Sequence, residues 1–202
     1  MILNIYIRVK EKFRNSRKWF NTLFMKLSCR INGVMLGKNV VCCGHLYIRN
    51  IGRCKIGNEV RLNSAIWSNP IGGGNKICLQ TFKNGNIEIG DGTGLSNTAI
   101  TSSILVKIGK NCLIGSGCKI YDTDFHPQIS EYRVGDKRND SYTKNKEIII
   151  EDKVFIGASS IILKGTHIGE GAIIGAGSVV SGNIPPYEIW AGNPAKYIKK
   201  TQ

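Results

Sequence analysis

The sequence predicts an all-β solenoid, a parallel β-helix of six-residue repeats preceded by a basic α-helix and interrupted by one inserted loop. Three observations predict it. An aliphatic residue recurs at every sixth position through the C-terminal third, 24 glycines are spread over 202 residues without a collagen period, and half of the +14 net charge sits in the first thirty residues. With 42% hydrophobic and 21% charged residues the chain is globular. Its length suits one domain with a buried core, leaving room for a small appendage.

Residues 1–30 come first. Arg8, Lys10, Lys12, Arg14, Arg17, Lys18, Lys26 and Arg30 stand against Glu11 alone, interleaved with Ile2, Leu3, Ile5, Tyr6, Val9, Phe13, Trp19, Phe20, Leu23, Phe24 and Leu27. Apolar residues at three-to-four spacing among cations describe a basic amphipathic helix, the kind that lies on an anionic membrane surface. The stretch is too polar to span a bilayer and lacks the uninterrupted apolar run of a secretory signal. A helix that caps one end of the body is the plainer alternative; the surface anchor is favoured slightly, because little else in the chain suits so many aromatics. Nucleic acid is not the expected partner, since no recognition motif accompanies the charge.

The β-helix domain is expected over residues 31–200. Stepping by six from Ile150 gives Ile156, Ile162, Ile168, Ile174 and Val180 without a miss. Glycine often follows, and four places later stand Val154, Ser160, Thr166, Ala172, Ser178 and Ile184, mostly small or β-branched. Earlier traces are Ile108-Gly109, Ile114-Gly115 and Ile120, then Ile56-Gly57 with Leu62, and Ile89-Gly90 with Leu95. A helix would show a period near 3.6 and a simple strand a period of two. Six fits a short strand that donates one large aliphatic inward and then turns a corner, three such units closing a triangular coil. Stacked coils leave open ends; the N-terminal helix can cover one and Tyr187–Lys200 the other.

Register weakens between Leu36 and Ile87. Leu36-Gly37 and Ile51-Gly52 still suggest coils, while Pro70 and Gly72–Gly74 suggest a loop leaving them. Residues 127–147 are polar and free of the repeat, and a long excursion from a rigid solenoid is more often functional than accidental. The seven cysteines (29, 42, 43, 54, 78, 112 and 118) include no C-x-x-C pair, and Cys112 and Cys118 fall at the small repeat position. Reduced, packing cysteines in a cytoplasmic protein, with peripheral contact on the inner face of the membrane if the anchor reading holds, are the expectation.

The Ile-Gly hexads, the segment Asp122-Thr123-Asp124-Phe125-His126-Pro127, and the ending Ile184-Pro185-Pro186…Ala191-Gly192-Asn193-Pro194-Ala195-Lys196 together resemble the hexapeptide-repeat, left-handed β-helix acetyltransferases. The resemblance is to the galactoside and maltose O-acetyltransferases and the enzymes that O-acetylate bacterial surface polysaccharides, and it covers roughly Val34 to Lys200. It implies acetyl-CoA as cosubstrate without a metal, and a homotrimer whose sites lie between subunits, each loop reaching a neighbour.

Acetyl transfer to an alcohol needs a base for the hydroxyl proton, stabilisation of the carbonyl oxygen and departure of the thiolate. A neutral imidazole suits the first task, since histidine titrates near ~6.5 in general, and His126 stands where coil meets loop. The resemblance gives His126 the role of general base. Asp122 and Asp124, two and four residues before it, would share its face in an extended segment. Either could orient the ring, or be a turn residue satisfying backbone amides. The oxyanion would be met by backbone N–H groups.

For the donor, the resemblance carries over Ala158 and Ala176 as small corner residues along which the pantetheine arm lies, Ser181, and Lys196 and Lys199 after the Asn-Pro motif as phosphate partners. Gly182 stands where relatives often have Lys, which removes one phosphate contact. The coil alone could require the alanines, and the lysines could be a solvated tail. His45 and His167 carry no expected role; zinc enzymes of this fold use three histidines, but they need a close pair that His45, His126 and His167 cannot supply.

Acceptor-binding residues match loosely over Leu95–Thr98, and an acidic position appears as Ile104. A polysaccharide unit is thereby favoured over a small free sugar, a lipid-linked one being in keeping with the N-terminus, with Arg133 free to meet an acidic sugar. The expected function is O-acetylation of a cell-surface polysaccharide or its precursor. The alternatives are N-acetylation of a nucleotide-linked amino sugar and a non-catalytic scaffold.

Overall fold

The structure is a computed structural model that describes residues 2–71 and 76–201, with the side chains of residues 2–9 left aside. One long helix, α1 (Ile2–Ile31), precedes a solenoid of short strands. Among the described residues the strands form three sheets of seven, eight and six members, in which neighbours come from successive turns of the chain, so the body is a three-sided β-helix. The first face runs from Met35–Leu36 through Val106–Ile108 to Asn183–Ile184, the second from Val41–Gly44 to Ala195–Lys200, and the third from Tyr47–Asn50 to Val179–Val180. Every pairing but the last named one on the second face is parallel.

The six-residue period is visible as three interior columns. Ile108, Ile150 and Ile168 stack from the first face, Ile114, Ile156 and Ile174 from the second, and Ile120, Ile162 and Val180 from the third, all at most 3% exposed. Burying each such side chain contributes about 1.5–3 kcal/mol before the entropy of ordering is set against it. Cys112 and Cys118 fill the small positions between columns, and their thiols donate to the carbonyls of Glu151 (3.1 Å) and Gly157 (3.2 Å) in the next coil. Burial pushes both thiols above the ordinary range.

The early coils are as regular as the later ones despite their weaker pattern, with four-residue strands at Val41–Gly44, Arg53–Ile56, Arg61–Ser64 and Cys78–Thr81. One expectation is corrected here. Ile51-Gly52 does not place an aliphatic inward: Ile51 is exposed at a corner, and Gly52 is there because a Cβ would collide with the carbonyl oxygens of Gly85 and Phe82. The chain between Ser64 and Cys78 carries no strand among its described residues; Gly72–Gly74 lie outside them.

The two ends are closed differently. Thr22 of α1 bonds the free edge of Val41–Gly44 twice, its hydroxyl accepting from the Cys42 amide at 3.1 Å and donating to the Cys42 carbonyl at 3.3 Å, while Met25 and Cys29 cover the open core. Unpaired edge groups invite further strand addition, and a helix over them removes the invitation. At the other end Glu188–Gly192 turns back antiparallel onto Ala195–Lys200. Among the described residues no helix is long and apolar enough to cross a membrane.

Candidate active site

The strand Lys119–Tyr121 ends on the third face, and the chain leaves the coil at the edge between the third and first faces. Asp122, wholly buried, marks the exit. Its carboxylate accepts from the Ser102 hydroxyl (2.8 Å) and from the backbone amides of Ser103 (2.6 Å), Ile104 (2.8 Å) and Leu105 (2.8 Å). It fixes the corner of the preceding coil.

Asp124 is engaged elsewhere too. It forms an ion pair with Lys164 at 2.5 Å, a residue of the next coil, and accepts from the Gln128 amide at 3.1 Å. The loop stems are clamped together where Asp124 N–H donates to Lys144 O (3.1 Å) and Lys146 N–H to Asp122 O (2.9 Å).

These contacts correct the expectation of a shared face for Asp122, Asp124 and His126. Phe125 adopts a φ of 61°, and the His126 amide turns back to Asp124 O at 2.7 Å, so the segment is not extended. The turn separates His126 from both carboxylates. Its ring is exposed and makes no hydrogen bond among the described residues. Phe125 packs edge-on against Tyr121, 5.1 Å between ring centres, which anchors the turn.

The loop that follows, residues 127–147, holds itself in shape. Tyr132 stacks on Tyr142 at 4.4 Å and Arg138 pairs with Asp140. Arg133 is exposed in it.

Ala158 and Ala176 stand on a different edge, between the second and third faces. There Gly115, Gly157 and Gly175 follow the inward isoleucines, and the coils approach so closely that a Cβ on Gly115 would lie 2.5 Å from the Ala158 nitrogen. The same edge continues N-terminally through Ser116 and Asn97, whose side chains bond at 3.1 Å. In the other direction, Lys196 pairs with Ala191, the residue that stacks over Gly175, and Lys199 pairs with Ile189. Both lysines are exposed. The structure thus brings Ala158, Ala176 and Lys196 along one edge, with Lys199 beside it.

Ser181 is not with them. By register it follows Val180 on the edge from which His126 departs, two coils further on. One hexad of extended chain separates the two edges, a span of at most about 20 Å.

His45 meets Phe24 edge-on at 5.4 Å, and His167 bonds Glu151 at 2.7 Å. Among the described residues no three His, Cys, Asp or Glu side chains are grouped to hold a metal ion. Sequence reasoning missed Lys164 as the partner of Asp124; of the two roles it left open for Asp122, orienting the ring or satisfying backbone amides, the structure shows the second. Hexad register could have aligned Lys164 with Asp122, but not its reach to Asp124.

Residues 105–120 and 147–181 match the family model described as the hexapeptide repeat of succinyl-transferase. WbbJ of Escherichia coli (strain K12), named as a lipopolysaccharide biosynthesis O-acetyl transferase, is 32% identical over 163 residues, spanning 76% of this chain and 75% of that protein. The chain belongs to the hexapeptide-repeat acetyltransferase family, and its fold is the left-handed parallel β-helix.

A protein of Staphylococcus aureus (strain Mu50) named as an acetyltransferase is 41% identical over 114 residues, 47% of this chain and 55% of its own length. The chain spans about half the length of that relative and of others like it. Among solved structures, an N-acyltransferase from Bacillus cereus in complex with dTDP and coenzyme A is similar with a TM-score of 0.64 at 26% identity, covering 87% of this chain and 88% of that one. The polysialic acid O-acetyltransferase OatWY is similar with a TM-score of 0.56 at 25% identity, covering 83% and 67%.

Proposed function

We propose that the chain is an acetyl-CoA-dependent O-acetyltransferase that modifies a sugar hydroxyl of a cell-surface polysaccharide or its precursor, with His126 as general base. The observation that carries this reading is the exposed His126 ring at the root of the loop, held in place by its backbone and claimed by neither nearby carboxylate.

In the reaction the acceptor hydroxyl gives its proton to the free ring nitrogen of His126 as its oxygen attacks the thioester carbon. The carbonyl oxygen becomes anionic and is met by backbone amides at the glycine-rich corners. Collapse breaks the carbon–sulfur bond, and the departing CoA thiolate takes the proton back from the imidazolium. The donor's pantetheine arm would lie along Ala158 and Ala176, whose side chains are single methyl groups, with Lys196 and Lys199 toward its phosphates. Ser181 would face the neighbouring part of the cleft.

Because the alanine edge and the His126 edge lie on opposite sides of the third face, one chain alone leaves them apart. A homotrimer fits, each cleft taking the alanine edge from one copy and His126 with its loop from the next; closed rings are the common solution for identical subunits.

The acceptor class is supported by the WbbJ relative and by OatWY. A second reading, N-acetylation of a nucleotide-linked amino sugar, is supported by the Bacillus cereus neighbour. Labelled acetyl-CoA offered with matched acceptors that differ only in hydroxyl or amine separates the two. Acetyl transfer to the hydroxyl acceptor that vanishes in His126→Ala, while the variant keeps its melting temperature, is the expected result. Undiminished turnover in that variant would end the mechanism.

A further inference from the structure

The described part of α1 has two faces. Thr22, Met25 and Cys29 rest on the first coil. On the other side Phe13, Phe20, Phe24, Leu27 and Ile31, spaced seven, four, three and four apart, form one stripe in which every member is more than half exposed. At 100° per residue that stripe lies opposite Thr22, Met25 and Cys29, with Phe24 reaching sideways to meet His45 edge-on. Lys12, Lys26 and Arg30 flank it on one side, Lys10 and Arg17 on the other, and Glu11 is the single carboxylate between residues 10 and 31.

We propose that this stripe seats on an anionic lipid bilayer, with α1 lying in the headgroup plane and the solenoid standing beyond it. Charge complementarity selects this occupant. A second copy laid stripe to stripe would set cations against cations with one carboxylate per helix to offset them. A sheet of phosphate headgroups neutralises both flanks while the aromatics enter the acyl boundary. The helix does not cross, so the contact is peripheral and weakens with salt.

The test is sedimentation of the full chain with vesicles of equal parts phosphatidylcholine and phosphatidylglycerol, against vesicles of phosphatidylcholine alone. Binding to the anionic vesicles only is expected. A Phe13→Ser, Phe20→Ser, Leu27→Ser variant should partition at least roughly a hundredfold more weakly, and a Lys10→Gln, Lys12→Gln, Arg17→Gln variant also roughly a hundredfold more weakly. Circular dichroism and melting should match the parent chain, since none of these side chains supports the coil. Equal sedimentation of parent and triple-serine chains overturns the proposal. So does self-association without vesicle binding that the serine variant abolishes, which would make a second copy the occupant. Neither readout uses acetyl-CoA, so the outcome is independent of the reaction proposed above.

Discussion

The two edges that border the third face are built on opposite principles. The edge of Ala158 and Ala176 is made of small residues on backbones in near contact, and it holds its shape because Gly115, Gly157 and Gly175 leave no space to lose. The edge of His126 is made of polar groups: a buried carboxylate, an ion pair to the next coil and a loop whose stems are joined by backbone hydrogen bonds. The first edge can only offer a surface. The second, in the reaction proposed, moves the proton. A solenoid places both kinds in one molecule because each corner repeats independently of the others.

If this contrast is right, substitutions on the two edges fail in different ways. His126→Ala should lower turnover by roughly 10³-fold with donor affinity retained, measured by initial rates with labelled acetyl-CoA. Asp122→Ala should cost about 3 kcal/mol of stability in denaturant unfolding, because it leaves the Ser103, Ile104 and Leu105 amides without their acceptor. Ala176→Glu should raise the KM for acetyl-CoA about tenfold with kcat little changed, since it adds bulk and charge where the arm would lie. Lys196→Gln and Lys199→Gln should each raise that KM about threefold at low salt and less at high salt. If Ala176→Glu lowered kcat and left KM alone, the two edges would not divide the work as described.

The interior between the edges makes the smallest prediction. Burial pushes the Cys42 and Cys54 thiols up to about 12 and Cys29 up to about 11, against an ordinary value of 9.0. A raised value favours the protonated thiol in the fold. Their contribution to stability is therefore complete below pH 9 and is lost as pH climbs toward 12. Alkylation of the native chain should mark the half-buried Cys43 and Cys78 first and reach the other five only on unfolding, as mass mapping would read.

The later coils were legible because each hexad from Ile150 to Ile174 repeats both its large aliphatic and its smaller inward residue, and a period needs only that constancy; after Val180 the spacing shortens and Ile184 stacks on Ile168. The early coils hid because their inward positions mix Cys42, Cys54, Leu62 and Leu79, while corner residues such as Ile51 mimic the pattern. For the site, the expectations for His126 and the alanines came from local motifs. For Asp122 the sequence left two jobs open, because the partners that decide between them lie about twenty residues back and become neighbours only when the coil closes. Thr22 and the edge of Val41–Gly44 meet for the same reason.

The stacking of strands on the third face also sets a height. From Tyr47–Asn50 to Lys119–Tyr121 the chain climbs three rungs, about 14 Å at the usual strand spacing. The imidazole is therefore held at a fixed elevation above the helix that closes the bottom of the molecule. Inserting three more hexads below it would raise it by one rung and leave its own surroundings untouched, so the solenoid serves as a ruler as much as a scaffold.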